Sequence, residues 1–419
     1  MPILENPDRR RRVAIIGAGA AGLMAACFAA EAGADTWLIE RTPDGGRKIL
    51  ISGGGRCNIL PLDVDVGRFV TDSSPNTLRN ILRSWPLAEQ RNFFERTLRI
   101  PLAEERVSGK LFPASNRARD VRDALLAHAL RKGARFLAGA LVTGLAPAEH
   151  GWRIELRGTP SLEVDAVVVA TGGLSVPDTG SDGSGLAMLD ALGLRIHPTY
   201  AALAPLTSGS SPFSALAGVS LRVRITADSG ARRAEAEGGF LFTHRGYSGP
   251  AVLDVSHIAI RSLEEGGDRA ILRVHWNSIP ETQWDSDLRN GRGSVLVQVR
   301  NALPERLAEA LLVFSGIDPA LSVSQLRREE RCRVLDALVR FEVPWKGHEG
   351  YRVAEVTGGG VDLGEVLART LESKRHPGLH VCGEALDAFG PIGGYNFLWA
   401  WATGRAAGIG AAREGKKIS

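Results

Sequence analysis

Apolar and polar positions near the start of the chain predict a strand, a turn, a helix and a second strand. The segment Val13–Glu40 opens with an apolar run, passes through a glycine turn into an alanine-rich stretch, and ends in another apolar run closed by an acid. This order is typical of a βαβ unit in a parallel sheet. An uncharged run that directly follows basic residues, here Val13–Ala30 after Arg9–Arg12, also occurs where a helix spans a membrane. Its glycines and alanines disfavour a membrane helix, so we expect a soluble fold.

Later patterns predict a layered α/β structure that an insert interrupts. Helical periodicity covers Asp120–Lys132 with Gly133 as its end, and three strands follow it, namely Arg135–Val142, Trp152–Arg157 and Val164–Ala170. Between 197 and 280 short alternating runs predict a small β domain, in particular Leu221–Ile225, Gly239–Thr243 and Ala270–Trp276. Helical periodicity follows in Val295–Leu312 and Leu326–Phe341, and glycine-rich sequence returns in Val356–Gly408. A cofactor-binding fold that is interrupted by an insert and completed by the C-terminal part explains this return.

Composition adds few constraints. The 419 residues are 44% hydrophobic and 23% charged, as in ordinary globular proteins, and 51 basic and 47 acidic residues leave a formal charge of only +4. Local basic clusters, Arg9–Arg12, Arg327–Arg333 and Lys346–Arg352, are most often solvated faces, and RNA contact is the minority interpretation. The four cysteines are far apart without a C-x-x-C pair, so we expect a reducing, cytoplasmic location and no metal site.

The turn in the first unit has the spacing of a dinucleotide fingerprint. Gly17 allows the tight turn out of the strand, Gly19 allows a pyrophosphate to approach the backbone, and Gly22 allows close packing of helix on strand. The helix N-terminus offers unpaired N–H groups and a positive dipole end to phosphate. Glu40 follows at the distance of an acid that accepts hydrogen bonds from a ribose. The sequence therefore predicts a dinucleotide site.

A second segment, Gly46–Asn58, joins basic residues to three consecutive glycines. Glycines permit backbone conformations and close approaches that side chains forbid. We interpret the segment as a loop laid along a flat or anionic ligand. Within it Cys57 has two interpretations, a redox thiol or a small buried residue, and the second is favoured because no partner cysteine or histidine is near it in sequence.

Two further glycine turns follow apolar strands. The turn Thr171–Gly173 ends a strand and predicts a contact on the adenine side of the cofactor, with a purely structural turn as the alternative. Near the C-terminus a strand ends at Gly383, Glu384 follows it, and the turn Gly393–Asn396 opens a helix. We interpret this segment as a flavin contact, in which Glu384 reaches a ribityl hydroxyl and the helix N-terminus points at the ring, with an ordinary glycine-capped helix as the alternative. A helix N-terminus at that place would stabilise the reduced flavin, which is negative near N1 and O2. We interpret Trp399 and Trp401 in this helix as core residues.

Together these segments resemble the YhiN/BaiN-type FAD-dependent oxidoreductases. The matching stretches, which span nearly the full chain, are GAGAAGLMAA (17–26), GRKILISGGGRCN (46–58), LFPASNRARDV (111–121), ATGGLSVPDTGSDGSG (170–185), GFLFTHRGYSGPAVLDVS (239–256) and the sequence of 372–408. The resemblance implies a glutathione-reductase-like, Rossmann-type FAD domain (1–196 plus 345–419), a β-barrel-like insert (197–285) and a helical insert (286–344). It also implies non-covalent FAD.

The predicted site residues follow from these motifs and the resemblance. For cofactor binding we expect Gly17, Gly19, Ala20, Ala21, Gly22, Glu40, Arg41, Arg47, Lys48, Gly53, Gly54, Gly55, Arg56, Cys57, Thr171, Gly172, Gly173, Gly383, Glu384, Gly393, Gly394, Tyr395 and Asn396. Candidates for the proton donor, in falling order, are His244, Tyr395 and Cys57.

Three functions stay open at this stage. The first is reduction of a carbon–carbon double bond by hydride transfer from flavin N5, which the resemblance implies for steroid-like acids or a uracil ring in ribosomal RNA. The second is an amine-type oxidase that uses oxygen. The third is a flavin-containing RNA-binding protein. No second complete fingerprint with an acid is visible, so we expect NAD(P)H to act, if at all, as a transient electron donor.

Overall fold

The computed structural model describes residues 9–209 and 212–413. The ends of the predicted FAD domain, 1–8 and 414–419, lie outside these residues. The described strands are β1 (Arg12–Ile16), β2 (Asp35–Glu40), β3 (Leu60–Pro61), β4 (Leu102–Glu105), β5 (Lys110–Pro113), β6 (Arg135–Ala138), β7 (Val142–Pro147), β8 (Trp152–Leu156), β9 (Thr159–Val164), β10 (Ala166–Val169), β11 (Ile196–Ala202), β12 (Leu206–Thr207), β13 (Ser220–Asp228), β14 (Arg233–Phe242), β15 (Gly246–Ser248), β16 (Ile271–His275), β17 (Phe341–Glu342), β18 (Gly347–His348), β19 (Val356–Val361) and β20 (Leu379–Val381).

The described α-helices lie between or after these strands, singly or in succession. They are α1 (Ala20–Glu31), α2 (Arg47–Gly55), α3 (Pro75–Arg83), α4 (Leu87–Asn92), α5 (Ala118–Arg131), α6 (Ser184–Ala191), α7 (Pro250–Glu264), α8 (Glu281–Asn290), α9 (Val295–Arg300), α10 (Glu305–Phe314), α11 (Arg328–Val339) and α12 (Tyr395–Ala412). Among the described residues no helix is both long and apolar enough to cross a membrane.

The chain divides into two units, one formed by Met1–Thr199 with Val356–Ser419 and the other by Tyr200–Glu355. The first unit contains a five-stranded parallel sheet in the order β20-β10-β1-β2-β6. Its central strands are almost continuous runs of buried valine, isoleucine and alanine, because helices cover both faces of such a sheet. The predicted Rossmann-type α/β fold is confirmed.

Helix α12 packs closely against α1, because glycines in α12 allow the two helices to approach. A Cβ atom on Gly404 would lie 2.3 Å from the carbonyl oxygen of Ala21, and one on Gly408 would lie 2.3 Å from that of Ala25. Both helices are apolar around most of their circumference, as expected for helices enclosed in a core. The beginning and the end of the first unit therefore form one hydrophobic core.

The first unit also contains two small antiparallel sheets, β3-β5-β4 and β7-β8-β9. The predicted helix Asp120–Lys132 is present as α5, and Gly133 follows it with a positive φ of 99°. The predicted strand Arg135–Val142 is divided into β6 and the start of β7. Gly139 with a φ of 72° turns the chain between them, which a continuous strand cannot do.

The second unit contains a seven-stranded antiparallel sheet in the order β17-β16-β13-β14-β15-β12-β18, and helices α7 to α11. Aromatic rings fill its core, with Phe240 and Trp276 edge to face at 5.4 Å between centroids. The predicted helical run Val295–Leu312 is two helices, because Pro304 ends the first segment and precedes α10. The subdivision at 196, 285 and 344 stays a prediction.

Candidate cofactor and active site

The fingerprint glycines have three distinct environments at the carboxyl end of β1. Gly17 has a φ of 100°, and a Cβ atom there would lie 2.6 Å from the carbonyl oxygen of Ala170. A Cβ atom on Gly22 would lie 1.8 Å from the carbonyl oxygen of Gly17. A Cβ atom on Gly19 would meet nothing within 4 Å. Gly17 and Gly22 are therefore required by the fold, whereas Gly19 leaves the N-terminus of α1 open to a ligand.

Glu40 lies at the end of β2 with its carboxylate fixed beside this turn. Its Oε2 accepts a hydrogen bond from the backbone N–H of Ala18 at 2.7 Å. Its Oε1 accepts from the N–H and the hydroxyl of Thr42, both at 2.8 Å. The side chain is buried, and Oε2, which accepts one hydrogen bond, keeps a lone pair for a further donor. This is the position at which the sequence predicts a ribose contact.

The segment predicted as a loop along a ligand is partly helical. Arg47 to Ile51 form the first turns of α2, and the backbone departs from helix at Ser52, Gly53 and Gly54. Gly53 and Gly54 have φ values of 56° and 67°, which favour glycine. Nothing lies within 4 Å of a Cβ placed on Gly54, so the kinked turn presents bare backbone.

The basic residues of this segment have acidic partners. Arg47 pairs with Asp44 at 3.1 Å. The guanidinium of Arg56 lies 4.0 Å from the ring centroid of Phe112 and pairs with Glu105 at 3.2 Å. The structure therefore gives Arg47 and Arg56 local partners, while Lys48 alone reaches the C-terminal part of the site.

Lys48 and Glu384 form the centre of a polar network between distant segments. The Nζ of Lys48 donates to Glu384 Oε2 at 2.7 Å and to the hydroxyl of Ser175 at 2.6 Å. Glu384 Oε1 also accepts from the N–H and hydroxyl of Thr357, at 3.0 and 2.8 Å, and from the hydroxyl of Ser175. Ser175 and Thr357 could not be found from the sequence, because a single hydroxyl residue in a loop or a strand has no characteristic spacing.

This network keeps Glu384 ionised. Burial opposes ionisation, but the charge and hydrogen bond of Lys48, together with Ser175 and Thr357, outweigh it and hold the pKa of Glu384 below its ordinary value. A carboxylate and an ammonium group therefore lie side by side at the point where both ends of the first unit meet.

The turn after β10 approaches the same network. Gly172 has a φ of 73°, and a Cβ on Gly173 would lie 2.4 Å from the hydroxyl oxygen of Thr357. The Oγ1 of Thr171 is buried and has no hydrogen-bond partner. A buried hydroxyl without a partner is unusual in proteins, which makes Thr171 a candidate for a ligand contact.

The start of α12 is shaped by two left-handed glycines. Gly393 and Gly394 have φ values of 129° and 97°, and a Cβ on Gly394 would lie 2.5 Å from the carbonyl carbon of Leu60. The side chain of Asn396 closes the turn, because it accepts from the N–H of Gly390 at 2.9 Å and donates to the Gly390 carbonyl at 2.9 Å. Asn396 therefore shapes this turn through the backbone of Gly390.

The three proton-donor candidates lie in different environments. Cys57 is fully buried, which raises the pKa of its thiol to about 12. The hydroxyl oxygen of Tyr395 accepts a hydrogen bond from the N–H of Asp65 at 3.3 Å, and its ring packs on Phe69. His244 belongs to the second unit, where it is exposed in the turn between β14 and β15. Within the first unit the structure brings Lys48 and Glu384 into direct contact.

A cavity of 540 Å³ lies beside Arg41 in the first unit. Polar residues at its wall include Arg41, Asp182, Thr143, Ser184 and Arg157. Burial opposes the ionisation of Asp182, but hydrogen bonds from Arg41 and Ser184 lower its pKa to about 2. The sequence indicated Arg41 but missed Asp182, which follows the glycine turn after β10 by several residues.

The first unit fits an FAD molecule by several criteria. The Oγ1 of Thr171 and the Oδ1 of Asn58 are buried without partners, and the backbone at Gly19 and Gly54 is open. The N-termini of α1 and α12 supply unpaired N–H groups for a diphosphate and for a ring that becomes negative on reduction. A dinucleotide with a flavin head carries both features. The fold and these donors define an FAD-dependent oxidoreductase.

Comparison with known proteins gives the family. The chain matches the family model "HI0933-like protein Rossmann domain" over residues 11–410, and it belongs to this family. It is 35% identical to the ribosomal RNA dihydrouridine synthase of Escherichia coli (strain K12), over 93% of this chain and 95% of that protein. It is 32% identical to the 3-dehydro-bile acid delta(4,6)-reductase of Clostridium scindens (strain ATCC 35704 / DSM 5676 / VPI 13733 / 19), over 96% of this chain and 99% of that protein.

One solved structure with a similar fold is the 3-ketosteroid delta1-dehydrogenase of Sterolibacterium denitrificans in complex with 1,4-androstadiene-3,17-dione. It covers 96% of this chain and 99% of that chain with a TM-score of 0.51 and 12% identity. At this identity the similarity concerns the fold alone.

Proposed function

We propose that the protein binds FAD non-covalently in its first unit and reduces a carbon–carbon double bond in a ring of its substrate. The observation that carries this proposal is that two relatives, each at least 32% identical over more than nine-tenths of this chain, are both named for such reductions. One name describes dihydrouridine, which is uridine with a saturated ring bond, and the other a delta(4,6)-reductase. Ring reduction is the chemistry that the two names share.

Each part of the cofactor has a matching group in the first unit. The diphosphate is assigned to the turn Gly17–Gly22 and the N-terminus of α1, and the adenosine ribose to Glu40. The ribityl chain is assigned to Lys48 and Glu384, which form an ion pair at 2.7 Å. The flavin ring is assigned to the turn at Gly393–Asn396. The remaining predicted residues, including Ala20, Ala21, Gly53 to Cys57, Thr171 to Gly173 and Gly383, are assigned to the same cofactor site.

Bound FAD supplies hydride transfer at N5. The N–H groups at the start of α12 favour negative charge beside them, and so they stabilise the reduced state. Lys48 adds a positive charge that Glu384 balances, which keeps the pocket close to neutral.

A ring reduction also needs a proton for the second carbon. His244, Tyr395 and Cys57 remain the candidates. The raised pKa of Cys57, caused by burial, keeps it a neutral thiol at pH 7 and makes it a weak acid. Variants H244N, Y395F and C57S, compared for turnover at equal FAD content, identify the donor: loss of the donor lowers turnover by about 100-fold or more.

The first experiment is anaerobic mixing of the yellow protein with NADH and, separately, NADPH. Bleaching of the flavin band identifies the electron donor, and reoxidation by an added acceptor identifies the substrate. The acceptors are ribosomal RNA that lacks its dihydrouridine and unsaturated 3-oxo bile acids. Protein that is colourless and takes up no added FAD would refute the proposal.

The two alternative functions give different results in the same assay. An amine-type oxidase is reduced by an amine without a nicotinamide donor, and it forms peroxide in air. A flavin-containing RNA-binding protein binds RNA without turnover, and its affinity falls steeply with salt. In the second unit, arginines on the exposed face of the sheet pair with acids across strands, Arg222 with Glu237 at 3.0 Å and Arg224 with Glu235 at 3.6 Å. These pairs reduce the positive potential of that face.

A further inference from the structure

Gly383, the residue before Glu384, is held at both of its backbone polar groups by side chains of one helix. Its N–H donates to the hydroxyl of Thr403 at 3.0 Å. Its carbonyl oxygen accepts from the indole N–H of Trp399 at 3.0 Å. The hydroxyl of Thr403 in turn donates to the backbone carbonyl of Trp399 at 2.7 Å, one helical turn earlier on α12.

This arrangement is enclosed by the core. Trp399 is 2% exposed and Thr403 is 0% exposed. Gly383 has a φ of 75°, and a Cβ there would lie 2.8 Å from the Cβ of Ala21. Because L residues rarely adopt this φ and space is lacking, Gly383 is a point where the chain turns under constraint. Its carbonyl also accepts from the N–H of Leu386 at 3.2 Å, which closes a short helical turn.

The consequence concerns Glu384 and the N-terminus of α12. Glu384 follows Gly383 directly, and Trp399 lies on the second turn of the helix whose first residue is Tyr395. The indole and hydroxyl groups therefore fix the carboxylate of Glu384 relative to the helix N-terminus. These are the two groups assigned above to the ribityl chain and to the flavin ring.

We propose that Trp399 and Thr403 are positioning residues for FAD, which hold the Gly383 turn so that Glu384 and the start of α12 meet the cofactor in one fixed geometry. This inference rests on the proposed FAD site. Without either side chain the turn samples other conformations, and the apparent affinity for FAD falls with the fraction of molecules in the competent one.

The structure offers a matched control on the same strand. The indole N–H of Trp152 donates to the carbonyl of Pro377 at 3.1 Å, just before β20, whereas Trp399 binds the carbonyl just after it. Trp152 is also 2% exposed. W152F and W399F thus remove the same group, from the same burial, at opposite ends of one strand. T403V and T403S test the hydroxyl of Thr403.

The dissociation constant of FAD is measured for each full-length protein, from the fluorescence of FAD released on dilution of the holoenzyme. We expect a rise of about tenfold for W399F and T403V, which corresponds to the loss of one buried hydrogen bond. W152F and T403S, which keep the contacts of Gly383, are expected to stay within about twofold of wild type.

Thermal unfolding of the same set separates positioning from general stability. W399F and W152F are expected to lose similar stability while only W399F loses FAD. Equal FAD affinity in W399F, W152F and wild type would overturn the inference. If W399F does not fold, the pair T403V and T403S decides, and an equal loss in both overturns it. A wild-type protein that binds no FAD refutes the proposed function itself.

Discussion

The fingerprint glycines Gly19 and Gly22 give a sharp test, because the structure assigns them opposite roles. Alanine at Gly22 would place its Cβ 1.8 Å from the carbonyl oxygen of Gly17, inside the rigid junction of β1 and α1. Alanine at Gly19 would meet no atom within 4 Å. The first substitution should therefore damage the fold, and the second should damage only the ligand site.

The magnitudes follow from these contacts. Overpacking against backbone costs about 3 kcal/mol or more, so we expect G22A to lower Tm by about 6–12 °C. At the N-cap position of α1, G19A should cost at most about 1 kcal/mol in the cofactor-free protein. The new methyl group would stand where the diphosphate approaches. Losing about 3 kcal/mol of charged hydrogen bonds raises the dissociation constant by more than about 100-fold.

The assay combines thermal unfolding of the protein prepared without FAD with titration of FAD. G19A should unfold like wild type yet fail to turn yellow at FAD concentrations that saturate wild type. Normal FAD affinity in G19A would show that the diphosphate does not bind at this turn. A loss of stability in G19A equal to that in G22A would show that the fold requires glycine at both positions.

Three further predictions use other features of the site. Since the pKa of Glu384 is held below its ordinary value, its contribution to stability is present at neutral pH and is lost as pH falls through the lowered pKa. The difference in Tm between wild type and E384Q should therefore shrink on acidification from pH 7 to pH 3. A constant difference would contradict this prediction. T171V removes a buried hydroxyl without a partner. It should leave Tm unchanged without FAD and weaken FAD binding about threefold to tenfold. Unchanged affinity would show that this hydroxyl does not face the cofactor. Iodoacetamide at pH 8 should modify Cys332 alone among the four cysteines of the folded protein, because the other three are buried. Mass spectrometry of the modified chain checks this. Rapid labelling of Cys57 would refute its raised pKa.

The sequence predicted the parts of the site that depend on backbone geometry. Gly17 and Gly22 could be assigned because a helix that packs closely on a strand admits only glycine at fixed spacings. The same holds for the left-handed turn before α12, which the spacing of Gly393 and Gly394 indicated. Local backbone constraints leave such patterns in the sequence, so these elements are readable without a structure.

Side-chain networks between distant segments could not be predicted in this way. Ser175 in the loop after β10 and Thr357 in strand β19 complete the Lys48–Glu384 pair, but they are separated by more than a hundred residues in the sequence. The helical start of α2 was also missed, because the glycines after it suggested a loop throughout. Its first residues form a helix because Ile49 is fully buried in the core.

The basic residues near the N-terminus show the same limit. The sequence favours a solvated face for them, with RNA contact as the minority interpretation. The structure places Arg12 at the beginning of β1, where it lies 3.9 Å from Asp35, and Arg9 pairs with Asp165 at 3.1 Å. The fingerprint turn follows the other end of β1, so the ion pairs of these arginines lie at the opposite end of the parallel strands.

The packing of α1 against Gly404 and Gly408 of α12 has a consequence for folding during synthesis. Ala21 and Ala25 leave the ribosome long before the helix that covers them, since synthesis of the intervening chain takes about 20–80 s at ordinary rates. During that interval an alanine-rich apolar helix has no partner, and no prosthetic group can be captured by both ends. We therefore expect chaperones to bind the nascent chain. Premature release would give a fragment that aggregates and holds no flavin.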